Sequence, residues 1–229
     1  MNNVFGIALR TTIVTLVITG LIYPFVMTGV AQVLFPWRAN GSLVTDDKGQ
    51  VIGSELIAQG FANPAYLQPR PSAAGEKGYD ATSSSGSNFG PTSKKLQDRI
   101  KDDLKRLKED NPDASGPVPT DLLTASGSGL DPDVSPAGAL WQVPRIAKAR
   151  GVTAERVKAV VGSNIEGRTF VILGEPRVNV LAVNLALDRQ FGKATPLPPA
   201  PEKKETKDAP KESAAPAQPT IQTAPPPAK

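Results

Sequence analysis

The stretch TTIVTLVITGLIYPFVMTGVAQVLFPW, residues 11–37, decides the architecture of this chain. Its 27 residues include no charged side chain, and a helix of about 20 apolar residues is long enough to cross the hydrocarbon core of a bilayer. Pro24 interrupts the run, but a proline is tolerated in such a helix when local backbone adjustments or a neighbouring helix satisfy the freed carbonyl group. We therefore predict a transmembrane helix over 11–37 with a kink near Leu21.

Residues at the C-terminal end of this run bear on whether the helix stays in the membrane as an anchor or is cleaved off as a signal peptide. Gly29 and Ala31 form a small-x-small pair of the kind found at cleavage sites, which makes a cleaved signal peptide the alternative. The run is longer than a signal core of about 7 to 15 residues and continues past that pair, so we favour a permanent anchor. Trp37 ends the run and Arg38 follows it, and both are typical of a membrane–water interface.

The orientation of the helix is not fixed by charge, because basic residues stand on both sides of the run. A short tail, residues 1–10, that stays in the cytoplasm is the simpler topology for a first apolar segment in a chain without cysteine. We therefore expect the long C-terminal part to be translocated.

The chain of 229 residues has room for one ordinary domain after the helix, which we place at 38–192. Apolar pairs on both sides of the polar turn at 46–49 predict a hairpin: Leu43, Val44, Val51 and Ile52. Leu56, Ile57 and Phe61 are expected in the core. Residues 63–93 are rich in Pro, Gly, Ser and Asn and predict a long loop, which serves as a contact surface or as a flexible linker.

Three stretches of the domain have the spacing and boundaries of helices. Leu96, Ile100, Leu104 and Leu107 recur at helical spacing between Ser93 and Pro112. Ser135-Pro136 is a helix start, and Pro144 would cost about 3 kcal/mol inside one continuous helix. We therefore predict two short helices, 136–142 and 144–150, ended by Gly151. Thr153 is expected to cap a further helix that carries Val157, Val160 and Val161.

The C-terminal part of the domain combines strand and helix patterns. Residues 168–173 favour a strand, 174–176 a turn, and 177–180 the returning strand of a hairpin, while 181–191 predict a final helix. Hairpins mixed with short helices, without a repeating βαβ order, predict an α+β fold. After Lys193, Pro, Ala, Lys and Glu dominate, so we predict that 193–229 is disordered, either as a solvated tail or as a partner-binding segment.

The residue types exclude several kinds of chemistry. The sequence has no Cys and no His, which removes thiol nucleophiles, imidazole bases, disulfides and the common zinc sites. A serine hydrolase would then need Ser-x-x-Lys, which Thr92-Ser-Lys-Lys95 does not supply, so we expect no enzymatic activity of the chain alone. The net charge of +4 comes without a basic run interleaved with aromatic residues, so no nucleic-acid partner is expected.

Two Ser/Gly loops, 83–88 and 126–131, could present backbone amides to a phosphate group. In the second loop the candidate residues are Ser126, Gly127, Ser128 and Gly129. Neither loop ends in the Gly-Lys-Ser/Thr of a P-loop, so turns or packing sites are the favoured alternative. No metal site is predicted from the carboxylates, whose spacing matches no calcium loop: Asp121, Asp131, Asp133 and Glu175.

Several motifs occur in a fixed order along the domain. They are GS (53–54), LI (56–57), RPSA (70–73), SGSNFGP (85–91), DLLTASGSGLDP (121–132), QVPR (142–145), ARG (149–151), GEPRVNVL (174–181) and NLALD (184–188). Together with the single N-terminal span they resemble the C subunit of the bacterial Kdp potassium-transporting P-type ATPase. The chain departs from the family pattern at Ala58, where glycine is usual, at Asp133, where histidine is common, and in its Pro-rich tail.

The resemblance implies an accessory subunit of an ATP-driven, high-affinity potassium import complex in the bacterial inner membrane. Its partners would be a channel-like potassium-binding subunit and a catalytic P-type ATPase subunit that hydrolyses ATP. The family is assigned a catalytic-chaperone role that raises the ATP affinity of the catalytic subunit, and the glutamine carried over for nucleotide contact is Gln142. ATP is thus the implied cofactor, only within the complex, and no metal is expected on this chain.

Two other roles remain open. Contact of Gln142 with cytoplasmic ATP conflicts with a periplasmic soluble domain. In the alternative, the helix packs against the channel-like subunit while the outer domain covers the potassium entrance and stabilises the complex. A third possibility is an envelope-spanning structural protein that reaches outward through its tail.

Overall fold

The computed structural model of the protein describes residues 3–46 and 48–195. Within them, one long apolar helix is followed by a small domain of helices and short strands, which is the predicted α+β class. Most of the tail that was predicted to be disordered, from residue 196 onward, lies outside the described residues, as does Asp47 of the predicted hairpin turn.

The N-terminal helix runs from Val4 to Leu34 and is long and apolar enough to cross a membrane. It consists of α1 (Val4–Val17), a π-helical turn (Ile18–Ile22) and α2 (Tyr23–Leu34). Pro24 lies in the first turn of α2 and cannot donate a backbone hydrogen bond to the preceding turn, which explains why the helix widens there. The predicted distortion near Leu21 is therefore present as a π-helical turn. The helix begins earlier than the uncharged run, because residues 4–10 contain no helix breaker other than Gly6.

A short helix and a hairpin connect the N-terminal helix to the domain. Helix α3 (Pro36–Ala39) is followed by strands β1 (Leu43–Thr45) and β2 (Val51–Ser54), which pair antiparallel as predicted. The indole Nε1 of Trp37 donates a hydrogen bond to the carbonyl oxygen of Leu43 at 2.9 Å. The end of the N-terminal helix is thereby joined to the first strand of the domain.

The chain between β2 and the next helix has neither helix nor strand over 58–93, in agreement with the predicted loop. It is not an open linker, because Ala65, Leu67 and Ala74 are buried. Helix α4 (Lys94–Asp110) follows and confirms the amphipathic prediction. Of its predicted apolar stripe only Leu107 is buried, and the other three members are partly exposed.

The remaining elements form the core of the domain. They are the 3₁₀ turn Thr120–Leu122, β3 (Asp133–Val134), α5 (Pro136–Trp141), α6 (Val143–Arg150), α7 (Ala154–Ser163), β4 (Ile165–Glu166), β5 (Arg177–Asn179) and α8 (Val180–Phe191). The three strands form an antiparallel sheet in the order β3-β5-β4. Valines from α7, β5 and α8 pack with Ile146 and Leu187 in the buried cluster beneath this sheet.

Local signals set the boundaries of the short helices correctly. Ser135 Oγ accepts a hydrogen bond from the Gly138 amide at 2.9 Å, and Pro144 lies in the first turn of α6, where it separates α5 from α6. Gly151 ends α6 with φ +64°, the left-handed conformation that glycine adopts without strain. Thr153 precedes α7 as predicted, but its hydroxyl makes no capping hydrogen bond.

Two sequence predictions about apolar residues are wrong. Residues 168–173 do not form a strand with 177–179 as predicted, because β5 already pairs with β3 on one side and β4 on the other, which leaves β5 no free edge. Leu56 and Ile57 do not enter the core and are 61% and 39% exposed, since the chain turns tightly at Ser54 and directs them outward. Phe61, the third predicted core residue, packs against the buried cluster and is partly exposed.

Candidate functional site

Gln142, the residue carried over for nucleotide contact, lies at the junction of α5 and α6 and is 1% exposed. Its Oε1 accepts hydrogen bonds from the Gln68 amide at 2.9 Å and from Arg145 Nη2 at 2.7 Å. Its Nε2 donates to the carbonyl oxygens of Gln68 at 3.0 Å and Gly138 at 3.3 Å. A glutamine amide has two donor hydrogens and two acceptor lone pairs, so its hydrogen-bonding capacity is fully used inside the domain.

Asn184 of α8 binds both backbone polar groups of Leu67, the residue before Gln68, as Gln142 binds those of Gln68. Its Oδ1 accepts from the Leu67 amide at 2.7 Å, and its Nδ2 donates to the Leu67 carbonyl oxygen at 2.9 Å. A neighbouring antiparallel strand offers this donor and acceptor pair to alternate residues, so two consecutive residues would need a strand on each side. The two amides therefore hold Leu67 and Gln68 as flanking strands would, although no strand lies there.

Two arginines bind the carbonyl groups that precede these residues. Arg145 donates to the oxygens of Pro64 at 2.7 Å and Tyr66 at 3.1 Å, and Arg150 Nε donates to the oxygen of Ala65 at 2.7 Å. We call residues 64–68 the clamped segment and the four side chains that hold it the clamp: Gln142, Arg145, Arg150 and Asn184.

The two arginines differ in how their charges are balanced. Arg150 pairs with Asp188 at 2.8 Å, and its side chain is 3% exposed. Arg145 forms no ion pair among the described residues, and burial lowers the pKa of its guanidinium to about 10. It stays charged at neutral pH, and carbonyl and amide oxygens accept the hydrogen bonds that it donates.

A cleft of about 480 Å³ lies beside the clamp. Its lining combines two aromatic rings, one guanidinium, one carboxylate and two amides: Phe61, Tyr79, Arg106, Asp110, Gln68 and Gln142. Burial raises the pKa of the Tyr79 phenol to about 12, and its hydroxyl donates to the Arg70 carbonyl oxygen at 2.8 Å. Arg106 pairs with Asp103 and Asp110 on its own helix, and its side chain is 51% exposed.

The two Ser/Gly loops, 83–88 and 126–131, lie against each other. Ser84 Oγ donates to the Ser128 carbonyl oxygen at 3.1 Å. A Cβ at Gly129 would lie 2.6 Å from the Ser85 oxygen, whereas one at Gly127 would meet nothing within 4 Å. The hydroxyl oxygens of Ser126 and Ser128 are 3.3 Å apart, and Ser128 Oγ also accepts from the Leu130 amide. The geometry shows a packing contact between loops, and the phosphate-binding role stays a prediction.

The carboxylates that were considered for a metal each serve a separate contact. Asp131 pairs with Arg70 at 2.8 Å, and Glu175 pairs with Arg168 at 2.7 Å. Asp121 Oδ2 accepts from the Ser135 amide at 2.7 Å. Within residues 3–46 and 48–195, no cluster of three His, Cys, Asp or Glu side chains could hold a metal ion.

A family model described as KdpC, K⁺-transporting ATPase, c chain, matches residues 5–189. The chain belongs to the KdpC family. It is 60% identical over 200 residues to a potassium-transporting ATPase KdpC subunit of Myxococcus xanthus, which covers 87% of this chain and 93% of that protein. It is 52% identical over 197 residues to the KdpC subunit of Bradyrhizobium diazoefficiens, with 81% of this chain and 96% of that protein covered.

The motifs that carried the resemblance to KdpC converge on the clamp. QVPR contributes Gln142 and Arg145, ARG contributes Arg150, and NLALD contributes Asn184. Sequence reasoning identified the motifs but assigned a role only to Gln142. The sequence also contains a signal for Arg145, Arg150 and Asn184. They stand at helix positions that otherwise face the core, and a buried Arg or Asn needs hydrogen-bond partners.

Two positions that are expected from the sequence to depart from the family pattern have defined partners in the fold. Ala58 is buried, and its amide donates to the Leu130 carbonyl oxygen at 3.0 Å. Asp133 accepts from Asn179 and pairs with Arg177 at 3.2 Å. Burial raises the pKa of the Asp133 carboxyl, with Asp131 and Glu166 acting in the same direction. Arg177 and Asn179 oppose that shift by stabilising the carboxylate.

Proposed function

We propose that this chain is the accessory subunit of an ATP-driven potassium import complex in the bacterial inner membrane. It spans the membrane once and stabilises the assembly of a channel-like potassium-binding subunit with a catalytic P-type subunit, which hydrolyses ATP. Membership of the KdpC family supports the complex, and the N-terminal helix supports the mode of attachment.

The observation that carries this proposal is the complete exposure of the N-terminal helix. None of the apolar residues in α1 or α2 is buried against the domain, so the surface of the helix is free for lipid and for another helix. Ala8, Thr12, Thr15 and Thr19 follow each other at intervals of four, three and four and share one face. Small residues on one face allow close approach of a second membrane helix.

Co-purification from the native membrane tests the proposal. The tagged full chain is expected to retain a channel-like membrane protein and a P-type ATPase. Thr15→Phe places a large ring on the small-residue face and should reduce that yield, whereas Val17→Phe, on the opposite face, should not. If the unaltered chain retains neither partner, the proposed assembly is wrong.

The side of the membrane decides between the roles proposed for the domain. With the N-terminus in the cytoplasm, the domain lies outside and is placed to cover the potassium entrance, and its contact with cytoplasmic ATP is impossible. The chain lacks cysteine, so Ser126→Cys in the intact complex can be labelled with a membrane-impermeant maleimide. Labelling from outside the inner membrane supports the cover role, and labelling only after lysis contradicts it.

A nucleotide contact is the second candidate, and the cleft beside the clamp favours it. Aromatic rings and amides line this cleft and suit a purine base, and the guanidinium of Arg106 suits a phosphate. The carboxylate of Asp110 lines the same cleft and pairs with Arg106, so a phosphate would have to displace that pair. Gln142 would have to give up bonds to the clamped segment to reach a ligand, so in this role the cleft wall, rather than Gln142 alone, would provide the contact.

The test of the second candidate uses Arg106, whose removal leaves the clamp intact. Arg106→Ala should weaken the apparent ATP affinity of the assembled complex, while the Lys105→Ala control on the exposed face of α4 should not. If the two variants have equal ATP affinities, the cleft is not a nucleotide site. Loss of affinity in Gln142→Ala alone would be uninformative, because that change also disrupts the clamp.

A further inference from the structure

The connection between β4 and β5 exposes four consecutive apolar side chains. We call residues 167–176 the apolar loop and Phe170–Leu173 its tip. The exposed fractions of Phe170, Val171 and Ile172 are 82%, 83% and 76%, and that of Leu173 is 57%. Apolar side chains that are scattered singly over a surface need no explanation, but four in succession at the end of a hairpin mark a contact site.

The backbone of the loop holds the tip away from the core. Phe170 and Val171 have φ angles of +50° and +70°, and a β-branched or aromatic residue adopts this conformation only under strain. The two residues gain no buried contact with the domain in return. The backbone strain at Phe170 and Val171 therefore does not improve the packing of the domain.

Some of the polar groups of the loop are paired within the loop. The amides of Thr169 and Leu173 each donate to the carbonyl oxygen of the other at 2.9 Å, and the Val171 amide donates to the Arg168 oxygen at 3.1 Å. Both carboxylate oxygens of Glu175 accept from Arg168 Nη2, at 2.8 and 2.7 Å, which neutralises the only two charges of the loop. This pairing lowers the cost of moving the loop out of water, because an unpaired polar group is costly in an apolar surrounding.

The base of the loop lies close to the end of the N-terminal helix. Glu166 and Arg177, the last paired residues of β4 and β5, line one cavity together with Trp37 and Arg38. Leu56, which is 61% exposed, lines the same cavity. From Glu166 to Phe170 the chain reaches at most about 14 Å. The tip is therefore within reach of the level at which Trp37 marks the membrane–water interface.

We propose that the tip of the apolar loop inserts into the interfacial region of the bilayer that the N-terminal helix crosses. The domain then has two contacts with the membrane, one through the helix and one through the loop, and its tilt relative to the bilayer is restricted. The inference rests on the proposed function, because it requires the helix to span the membrane. It is independent of which side of the membrane the domain occupies.

Single-cysteine labelling tests the insertion. Phe170→Cys and Ile172→Cys carry an environment-sensitive nitrobenzoxadiazole label, with Glu76→Cys as an exposed polar control and Leu21→Cys as a control inside the helix. The full chain, alone and in the co-purified complex, is reconstituted into phosphatidylethanolamine and phosphatidylglycerol vesicles that contain nitroxide-labelled lipid. Both loop positions are exposed, so the substitutions leave the core intact, and either position suffices for the test.

Insertion predicts a blue-shifted emission at positions 170 and 172 and quenching by nitroxides at a depth of about 5 to 10 Å below the headgroups. The label at 76 should stay unquenched, and the label at 21 should be quenched by deep nitroxides. If positions 170 and 172 behave like 76 while 21 is quenched, the loop inference is wrong and the spanning helix stands. If 21 is also unquenched, the proposed function fails and the inference with it.

A protein partner gives a different result. Labels at 170 and 172 would then shift to the blue only in the co-purified complex and would be shielded from lipid nitroxides. That outcome overturns insertion into the bilayer and assigns the loop to another subunit.

Discussion

At the scale of single residues, the amides of Gln142 and Asn184 take the place of a strand beside residues 67 and 68. The clamped segment is buried at Leu67 and has no backbone ladder of its own. A buried backbone group without a partner costs about 1 to 3 kcal/mol, so the clamp accounts for groups that would otherwise destabilise the domain. Gln142 is consequently a structural residue in this geometry, whatever else it contacts in the complex.

Replacement of Gln142 by leucine should therefore lower the stability of the domain. Gln142→Leu keeps the side-chain volume but leaves the Gln68 amide and carbonyl without partners, and we expect a loss of about 2 to 4 kcal/mol in the free energy of unfolding. Urea unfolding of the full chain in detergent, followed by the fluorescence of the buried Trp141, measures it. Gln97→Leu on the exposed face of α4 is the matched control and should change stability by less than about 0.5 kcal/mol. Equal effects of the two substitutions would contradict the structural role of Gln142.

Asp133 should make the stability of the domain depend on pH. Its pKa in the folded state is raised above 3.8 by burial, so folding favours the protonated carboxyl. That contribution is fully present below pH 3.8 and is lost as the pH rises through the folded-state pKa. Asp133→Asn cannot titrate, so its stability relative to the unaltered chain should rise across this window and then level off.

The ion pair with Arg177 limits the size of this effect, because the guanidinium stabilises the carboxylate and opposes the upward pKa shift of Asp133. Solvent screening at the Arg177 side chain, which is 47% exposed, weakens that opposition. Urea unfolding of both chains at a series of pH values gives the difference directly. A difference that stays constant from below pH 3.8 to neutral pH would show that Asp133 does not have a raised pKa.

At the scale of elements, boundaries follow local chemistry while strand pairing does not. The break between α5 and α6 and the end of α6 are set by Ser135, Pro144 and Gly151, whose effects need no distant partner. Residues 168–173 have β-forming side chains, but whether they pair with β5 as predicted depends on a free edge of β5. Because β3 and β4 occupy both edges of β5, that segment becomes the apolar loop.

Two helix starts in the same domain provide a matched comparison. Ser135 Oγ accepts the Gly138 amide of α5, whereas Thr153 makes no side-chain hydrogen bond to α7. Ser135→Ala should therefore lower the free energy of unfolding by about 1 kcal/mol, and Thr153→Ala by only a few tenths. Thermal unfolding monitored by circular dichroism distinguishes them. A larger loss for Thr153→Ala than for Ser135→Ala would contradict the capping geometry.

At the scale of the whole molecule, loops that are far apart in sequence form part of the packed domain. The Ser/Gly loops contact each other across Gly129, and the loop that was predicted to be a contact surface or linker is held by the clamp. Loops of this length inside a domain are often functional. Here the loop contributes buried residues to the domain and, at Gln68 and Tyr79, walls to the cleft.

The contact between the Ser/Gly loops predicts unequal effects of two similar substitutions. Gly129→Ala places a methyl group within 2.7 Å of Ser85 and Ala74 backbone atoms, at a φ of +68°, and should lower the melting temperature by several degrees. Gly127→Ala meets nothing within 4 Å and should leave the melting temperature nearly unchanged. Differential scanning calorimetry of the full chain measures both. Similar melting temperatures for the two variants would mean that the loops do not pack as described.

The sequence by itself determined the long apolar helix with its distortion at Pro24, the α+β class and the positions of most helices. Each of these follows from interactions within a few residues: an uncharged run, an apolar period, a cap or a proline. Only the tertiary structure decided the partners of Gln142, the exposure of Leu56 and the fate of residues 168–173. The reason is physical, since these features depend on backbone groups brought together across 74 or 117 residues and on sheet edges already occupied by other strands.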